Sequence, residues 1–194
     1  MKELLQSSDP QVIAKVFAKG GIVIFPTDTV WGIGCVYDDD QAVKRLYSIK
    51  NRLPDKPTSL LIPNSNWVNR LAIINPSEKK ILNKYWPGAL TVVLPAKKEI
   101  ENKSFVSTTK KVGVRIPNHQ KLLEVIKILD KPILGPSANF ASKTPPQTIF
   151  QLDPNLLKLV DAVFRSTDGS GKESTVITFE NENLVILRDG AVKI

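Results

Sequence analysis

Three polar clusters interrupt apolar stretches of this 194-residue chain at places where chemistry could be done. The first, Pro26-Thr27-Asp28-Thr29, sets two hydroxyls and a carboxylate directly after the apolar run at 22–25. The second, Lys50-Asn51-Arg52 with Lys56-Pro57, gathers three cations on a segment stiffened by Pro54 and Pro57. An arginine fork grips phosphate or carboxylate oxygens in pairs and a lysine supplies a compact charge, so this mixture suits a polyanionic ligand. The third, Gly135-Pro136-Ser137-Ala138-Asn139, offers a hydroxyl, an amide and backbone N–H groups. Taken singly, each also reads as something plainer: a turn, a solvated basic loop, a common loop.

Other chemistries lack their residues. There is no G-x-G-x-x-G after a strand, and Gly171-Lys172 fails as a phosphate loop because Ser166 stands at the first glycine position and Glu173 at the hydroxyl position. His119 is the only histidine and no G-x-S-x-G accompanies it, so a Ser-His-Asp arrangement is unsupported. Cys35, the single cysteine, excludes an internal disulfide and, with one histidine, a Cys/His zinc site. It reads as a small buried side chain, and His119, beside a helix start, as a capping or exposed residue.

The elements that must position these clusters alternate in type. Asp9-Pro10, the apolar spacing Ile13, Val16, Phe17 and the pair Gly20-Gly21 predict a short amphipathic helix. A buried strand at 22–25 follows, closed by Pro26. The aspartates at 38–40 can cap a second helix carrying Ala42, Val43, Leu46, Tyr47 and Ile49, which delivers Lys50 at its end. Strands are predicted at 59–62, 90–94, 112–116, 132–134, 174–179 and 184–187, and a helix over 118–129 with Asn118 as its cap. Residues 97–111, rich in charge and poor in apolar side chains, read as a mobile loop. The pattern implies one α/β domain over 1–194, a twisted mixed sheet with flanking helices.

Composition bounds the setting. The chain is 42% hydrophobic and 24% charged, ordinary for a globular protein, with no apolar run of membrane-spanning length and no signal-peptide core. A cytosolic location is expected. The net charge of +8 is regional: residues 41–143 hold 19 Lys/Arg against 6 Asp/Glu. Anionic partners follow in general terms, whether nucleic acid, nucleotide phosphates or carboxylates.

In this order and spacing the clusters resemble the threonylcarbamoyl-AMP synthase family of YrdC-type proteins. The resemblance runs from GGIVIFPTDTVWGIG through KNRLPDKP, WPGALTVVL, VGVRIP and GPSANFAS to ESTVI and LRDG. Its diagnostic K-x-R, following Lys and S-x-N are Lys50, Arg52, Lys56, Ser137 and Asn139. YrdC-like paralogues of uncertain activity tend to lose the S-x-N pair, which is intact here. Two departures are Trp31, where Tyr or Phe is usual, and an end at Ile194 without the extra C-terminal domain of the longer form.

The resemblance implies a YrdC-like fold and condensation of L-threonine, bicarbonate and ATP to threonylcarbamoyl-AMP and pyrophosphate, supplying a downstream transferase that modifies tRNA adenosine 37. It assigns Lys50 and Arg52 to phosphates and carbamate, and Arg52, Lys56, Ser137, Asn139 and Arg188 to ATP. Thr29, Arg115 and Ser174 are assigned to threonine. Mg2+ is expected to enter with ATP, with no dedicated protein ligand; Asp28 is a candidate outer partner. A weak tRNA contact could coexist with the enzyme. The competing reading is a nucleic-acid-binding protein without synthase activity, which the basic region permits and the 7% aromatic content disfavours.

Overall fold

The computed structural model describes residues 4–51, 57–181 and 183–194. The described residues form ten strands and six α-helices: β1 (Leu5–Ser7), α1 (Pro10–Ala18), β2 (Val23–Phe25), β3 (Gly32–Gly34) and α2 (Asp40–Ile49) come first. There follow β4 (Leu60–Leu61), α3 (Val68–Leu71), α4 (Pro76–Leu82), β5 (Leu90–Pro95), β6 (Lys111–Arg115), α5 (Gln120–Leu129) and β7 (Ile133–Leu134). The chain ends with α6 (Pro154–Leu157), β8 (Ala162–Phe164), β9 (Thr175–Glu180) and β10 (Asn183–Arg188).

Helix α1 forms as its residues dictate. Asp9 accepts from the Gln11 N–H at 2.8 Å, Pro10 opens the first turn, and Gly20 at φ +75° turns the chain into β2. Helix α2 is capped by Asp39, whose carboxylate takes the Gln41 and Ala42 N–H groups. Helix α5 corrects an expectation: its cap is His119, not Asn118. The His119 Nδ1 accepts from the Leu122 N–H at 3.1 Å, while Nε2 lies 3.3 Å from the Thr167 carbonyl. These two contacts fix the tautomer with the proton on Nε2.

The strands form a mixed sheet in two hydrogen-bonded sets, β1-β8-β2-β3 and β10-β9-β5-β6-β4-β7. The bridges Gly32↔Ser137 and Val36↔Ile133 stitch β3 to the β7 region, so the sets run on from each other. Gly34 makes that junction possible, because a Cβ there would meet the Leu134 carbonyl oxygen at 1.8 Å. Both β5 and β9 bury one face: Leu90, Val92, Leu94 and Ile177 are shut in the core with Val112 and Val114 of β6. No helix among the described residues is long and apolar enough to cross a membrane.

Residues 97–111 depart from the mobile loop their charge suggests. Ile100, Phe105 and Val106 are buried, the Phe105 carbonyl accepts from Thr58 N–H at 3.1 Å, and the Ser104 carbonyl accepts from the Tyr47 hydroxyl at 3.3 Å. Three apolar side chains among many charges suffice to pin the segment.

Candidate active site

The alternation of β6 sets the floor of the site. Val112 and Val114 point into the core, so Lys111, Gly113 and Arg115 point to the opposite face, where they line a cavity of about 370 Å³. Thr91 and Val93 of β5 lie on the same face. A Cβ on Gly113 would touch Ser59 and Thr91, so the glycine keeps the floor open. The β2–β3 loop supplies Thr27 and Thr29, the segment after β7 supplies Ser137, and the strand ends supply Ser174 and Arg188. The volume is within the range of small-molecule sites.

One end of the cavity is built around Arg115, the last residue of β6 and only 5% exposed. Its Nε donates to the Gly88 carbonyl at 3.0 Å, Nη1 to Thr29 Oγ1 at 2.9 Å and Nη2 to Asp28 Oδ1 at 2.5 Å. Burial pushes the guanidinium below the usual arginine range, and the Asp28 charge and hydrogen bond oppose that shift. Thr27 Oγ1 donates to the Val30 carbonyl at 2.8 Å, which spends its only proton. In the 2.8 Å contact between the two threonine hydroxyls, Thr29 is therefore the donor. The Thr29 oxygen is thus an acceptor toward Arg115 and keeps a second lone pair for a ligand.

Ser174 Oγ, also at the cavity wall, lies 2.9 Å from Thr91 Oγ1. Arg188 donates to the Ser174 carbonyl through Nε at 3.2 Å and Nη2 at 2.8 Å, and through Nη1 to Glu173 at 2.7 Å. Arg115, Arg188 and Lys111 make this part of the wall cationic, with Asp28 and Glu173 as partial counterweights.

The S-x-N segment is held from behind. The Ser137 hydroxyl donates to Asn139 Oδ1 at 2.6 Å, which turns its oxygen lone pairs outward. Asn139 Nδ2 donates to the Lys143 carbonyl. Lys50, 3% exposed at the end of α2, sends its ammonium to the carbonyls of Ser137 and Asn139 and, at 3.4 Å, to Asn139 Oδ1. Its own carbonyl accepts from the Ala141 N–H at 3.1 Å.

Of the residues expected from sequence, the structure brings Thr29, Arg115, Ser137, Ser174 and Arg188 to one cavity. Lys50 and Asn139 are both hydrogen-bonded to Ser137. Arg52 and Lys56 lie outside the described residues. Asp28 pairs with Arg115 through Oδ1. Among the described residues no group of three or more His, Cys, Asp or Glu could cage an ion.

Sequence reading passed over Lys111, although the period-two array Lys111-Val112-Gly113-Val114-Arg115 carries the signal. It also passed over Asp168, which accepts from Trp31 Nε1 at 2.6 Å from 137 residues away, a pairing that no local pattern encodes. Cys35 is fully buried as expected, its thiol pushed up to about 12 by burial and by Asp39.

Comparison with known proteins gives this geometry its context. The family model described as "Telomere recombination" (Sua5, YciO and YrdC) matches residues 15–190. A Pyrococcus abyssi protein named threonylcarbamoyl-AMP synthase is 32% identical over 193 residues, 99% of this chain and 57% of its own length. A Stenotrophomonas maltophilia protein of the same name is 30% identical, with 91% of this chain and 94% of that protein covered. The chain thus spans little more than half of the first relative and nearly all of the second. The crystal structure of Pyrococcus abyssi Sua5 complexed with L-threonine superposes with a TM-score of 0.88 at 29% identity, covering 97% of this chain and 58% of that one.

Proposed function

The chain belongs to the Sua5/YciO/YrdC family, and from that premise we propose that it is an L-threonylcarbamoyladenylate synthase, joining L-threonine, bicarbonate and ATP with release of pyrophosphate. The observation that carries the proposal is a single cavity whose wall combines a buried, braced arginine with the hydroxyls of Thr29 and Ser174 and with Ser137 of the S-x-N segment. Such a wall suits a hydroxy amino acid and a polyphosphate held side by side.

In this reading Arg115 takes the threonine carboxylate, and Thr29 and Ser174 take its polar groups. The threonine nitrogen attacks bicarbonate carbon, a C–N bond forms and water leaves, giving a carbamate. A carbamate oxygen then attacks the α-phosphorus as the bond to the β-phosphate oxygen breaks and pyrophosphate departs with the electron pair. No covalent enzyme intermediate is required. The protein's task is to hold two mutually repelling anions together and to neutralise charge growing on the phosphates. Ser137, Arg188 and Lys111 serve that end from the cavity wall, with Arg52 and Lys56 completing the phosphate grip. Lys50 and Asn139 act through Ser137. Magnesium entering with the triphosphate would neutralise part of its charge and would keep much of its water; Glu173 at the wall is paired with Arg188 and Asp28 nearby with Arg115. The setting is the cytoplasm, and the product passes to a transferase acting on tRNA.

Incubation with ATP, threonine and carbon-13 bicarbonate, followed by mass spectrometry, tests the proposal. The expected product is threonylcarbamoyl-AMP carrying the heavy carbon, absent when any one substrate is omitted. Formation of no adduct, together with tight tRNA binding of steep salt dependence, would favour the nucleic-acid-binding reading instead.

A further inference from the structure

Arg115 has five N–H donors, and three are spent on three fixed acceptors: the Gly88 carbonyl, Thr29 Oγ1 and Asp28 Oδ1. One N–H on each terminal nitrogen has no partner among the described residues. A planar guanidinium tied at all three nitrogens cannot swing, so those two donors keep one direction.

Asp28 is itself clamped. The Ser170 N–H donates to the Asp28 carbonyl at 3.1 Å and the Gly171 N–H to the Thr29 carbonyl at 2.9 Å. Gly169 sits so close that a Cβ would meet the Asp28 carbonyl carbon at 2.5 Å and the Thr27 oxygen at 2.3 Å. The loop before β9 therefore holds the Asp28 backbone in place.

The other arginine–carboxylate pair at the cavity differs. Arg188 and Glu173 have side chains 43% and 42% exposed, where water screens the attraction, while Arg115 and Asp28 are at 6% and 14%. Only the latter pair is dry enough for its geometry to be enforced.

We propose that Asp28 is a positioning residue for carboxylate recognition: it fixes the Arg115 fork so that its two remaining N–H groups face the substrate carboxylate. The inference rests on the reading above, in which Arg115 binds the carboxylate of L-threonine. Asp28 touches no substrate and acts only through Arg115.

The test compares binding of L-threonine with that of L-threoninamide, which lacks the charged carboxylate, by titration calorimetry on the full chain. The wild type binds threonine more tightly than the amide. Asp28→Ala lowers threonine affinity about tenfold and leaves amide affinity unchanged, so discrimination collapses. Asp28→Asn, which keeps an acceptor for Nη2 without the charge, falls between the two. If Asp28→Ala does not fold, the loss of discrimination in Asp28→Asn carries the same reading. Equal weakening of both ligands would mean a general loosening and would overturn the inference, as would discrimination intact in the folded variants. A wild type that does not distinguish threonine from its amide would overturn the Arg115 assignment beneath it.

Discussion

The Lys50 ammonium ends on the backbone carbonyl of Ser137. A second bond runs to the Asn139 carbonyl at 2.7 Å, and the lysine is 3% exposed. A buried cation satisfied by carbonyls is costly to disturb, because removing it leaves two acceptors desolvated. The end of α2 and the S-x-N segment are therefore tied together by this ammonium.

Lys50→Met keeps most of the stem volume and deletes the donor. It is expected to lower turnover at least tenfold, about 1.4 kcal/mol, and to destabilise the fold by about 1–3 kcal/mol. Steady-state kinetics beside denaturant unfolding separate the two effects. Arg52→Ala is expected to cut turnover by a similar factor, and wild-type turnover in both variants would refute the phosphate-side assignment.

Cys35 is predicted to be inert in the folded protein. It has no exposed surface and its thiol is pushed up to about 12, so thiolate is scarce at pH 8. Labelling with an aromatic disulfide reagent should track global unfolding and become rapid in denaturant. Fast stoichiometric labelling of the native protein would contradict the packing described.

His119 predicts a pH dependence of stability. Its burial holds the imidazole below the usual range, the opposing hydrogen bond to Thr167 and the Asp28 charge notwithstanding. The unfolded chain then binds more protons than the folded one at mildly acid pH, so stability is full above about pH 6.5 and falls as pH drops below it. His119→Asn, which can still cap α5, should flatten that slope in urea titrations at stepped pH.

How far the sequence already spoke depends on the range of the interaction. Helix α1 was legible because Asp9, Pro10 and Gly20 act within their own segment, and β6 because two valines alternate with polar partners. β3 was not, since the two glycines flanking Ile33 weaken its strand signal. It pairs because Phe25 packs where a Gly32 side chain would stand and Leu134 crowds Gly34. The cap of α5 moved by one residue because an imidazole nitrogen can accept as an asparagine oxygen does. The motifs picked out Thr29, Arg115, Ser137, Ser174 and Arg188, yet motif membership carries no contacts: it did not reveal that Lys50 and Asn139 hydrogen-bond to Ser137. The Arg115–Asp28 and Trp31–Asp168 contacts span 87 and 137 residues and exist only once the sheet is assembled.

In the proposed reaction one cavity couples threonine and bicarbonate to cleavage of ATP between its α- and β-phosphates. Pyrophosphate release measured against threonine concentration, with and without bicarbonate, tests it most directly. Saturable release that requires threonine and bicarbonate together and is lost in Arg115→Ala is expected. Release of inorganic phosphate, or pyrophosphate release indifferent to threonine, would contradict it.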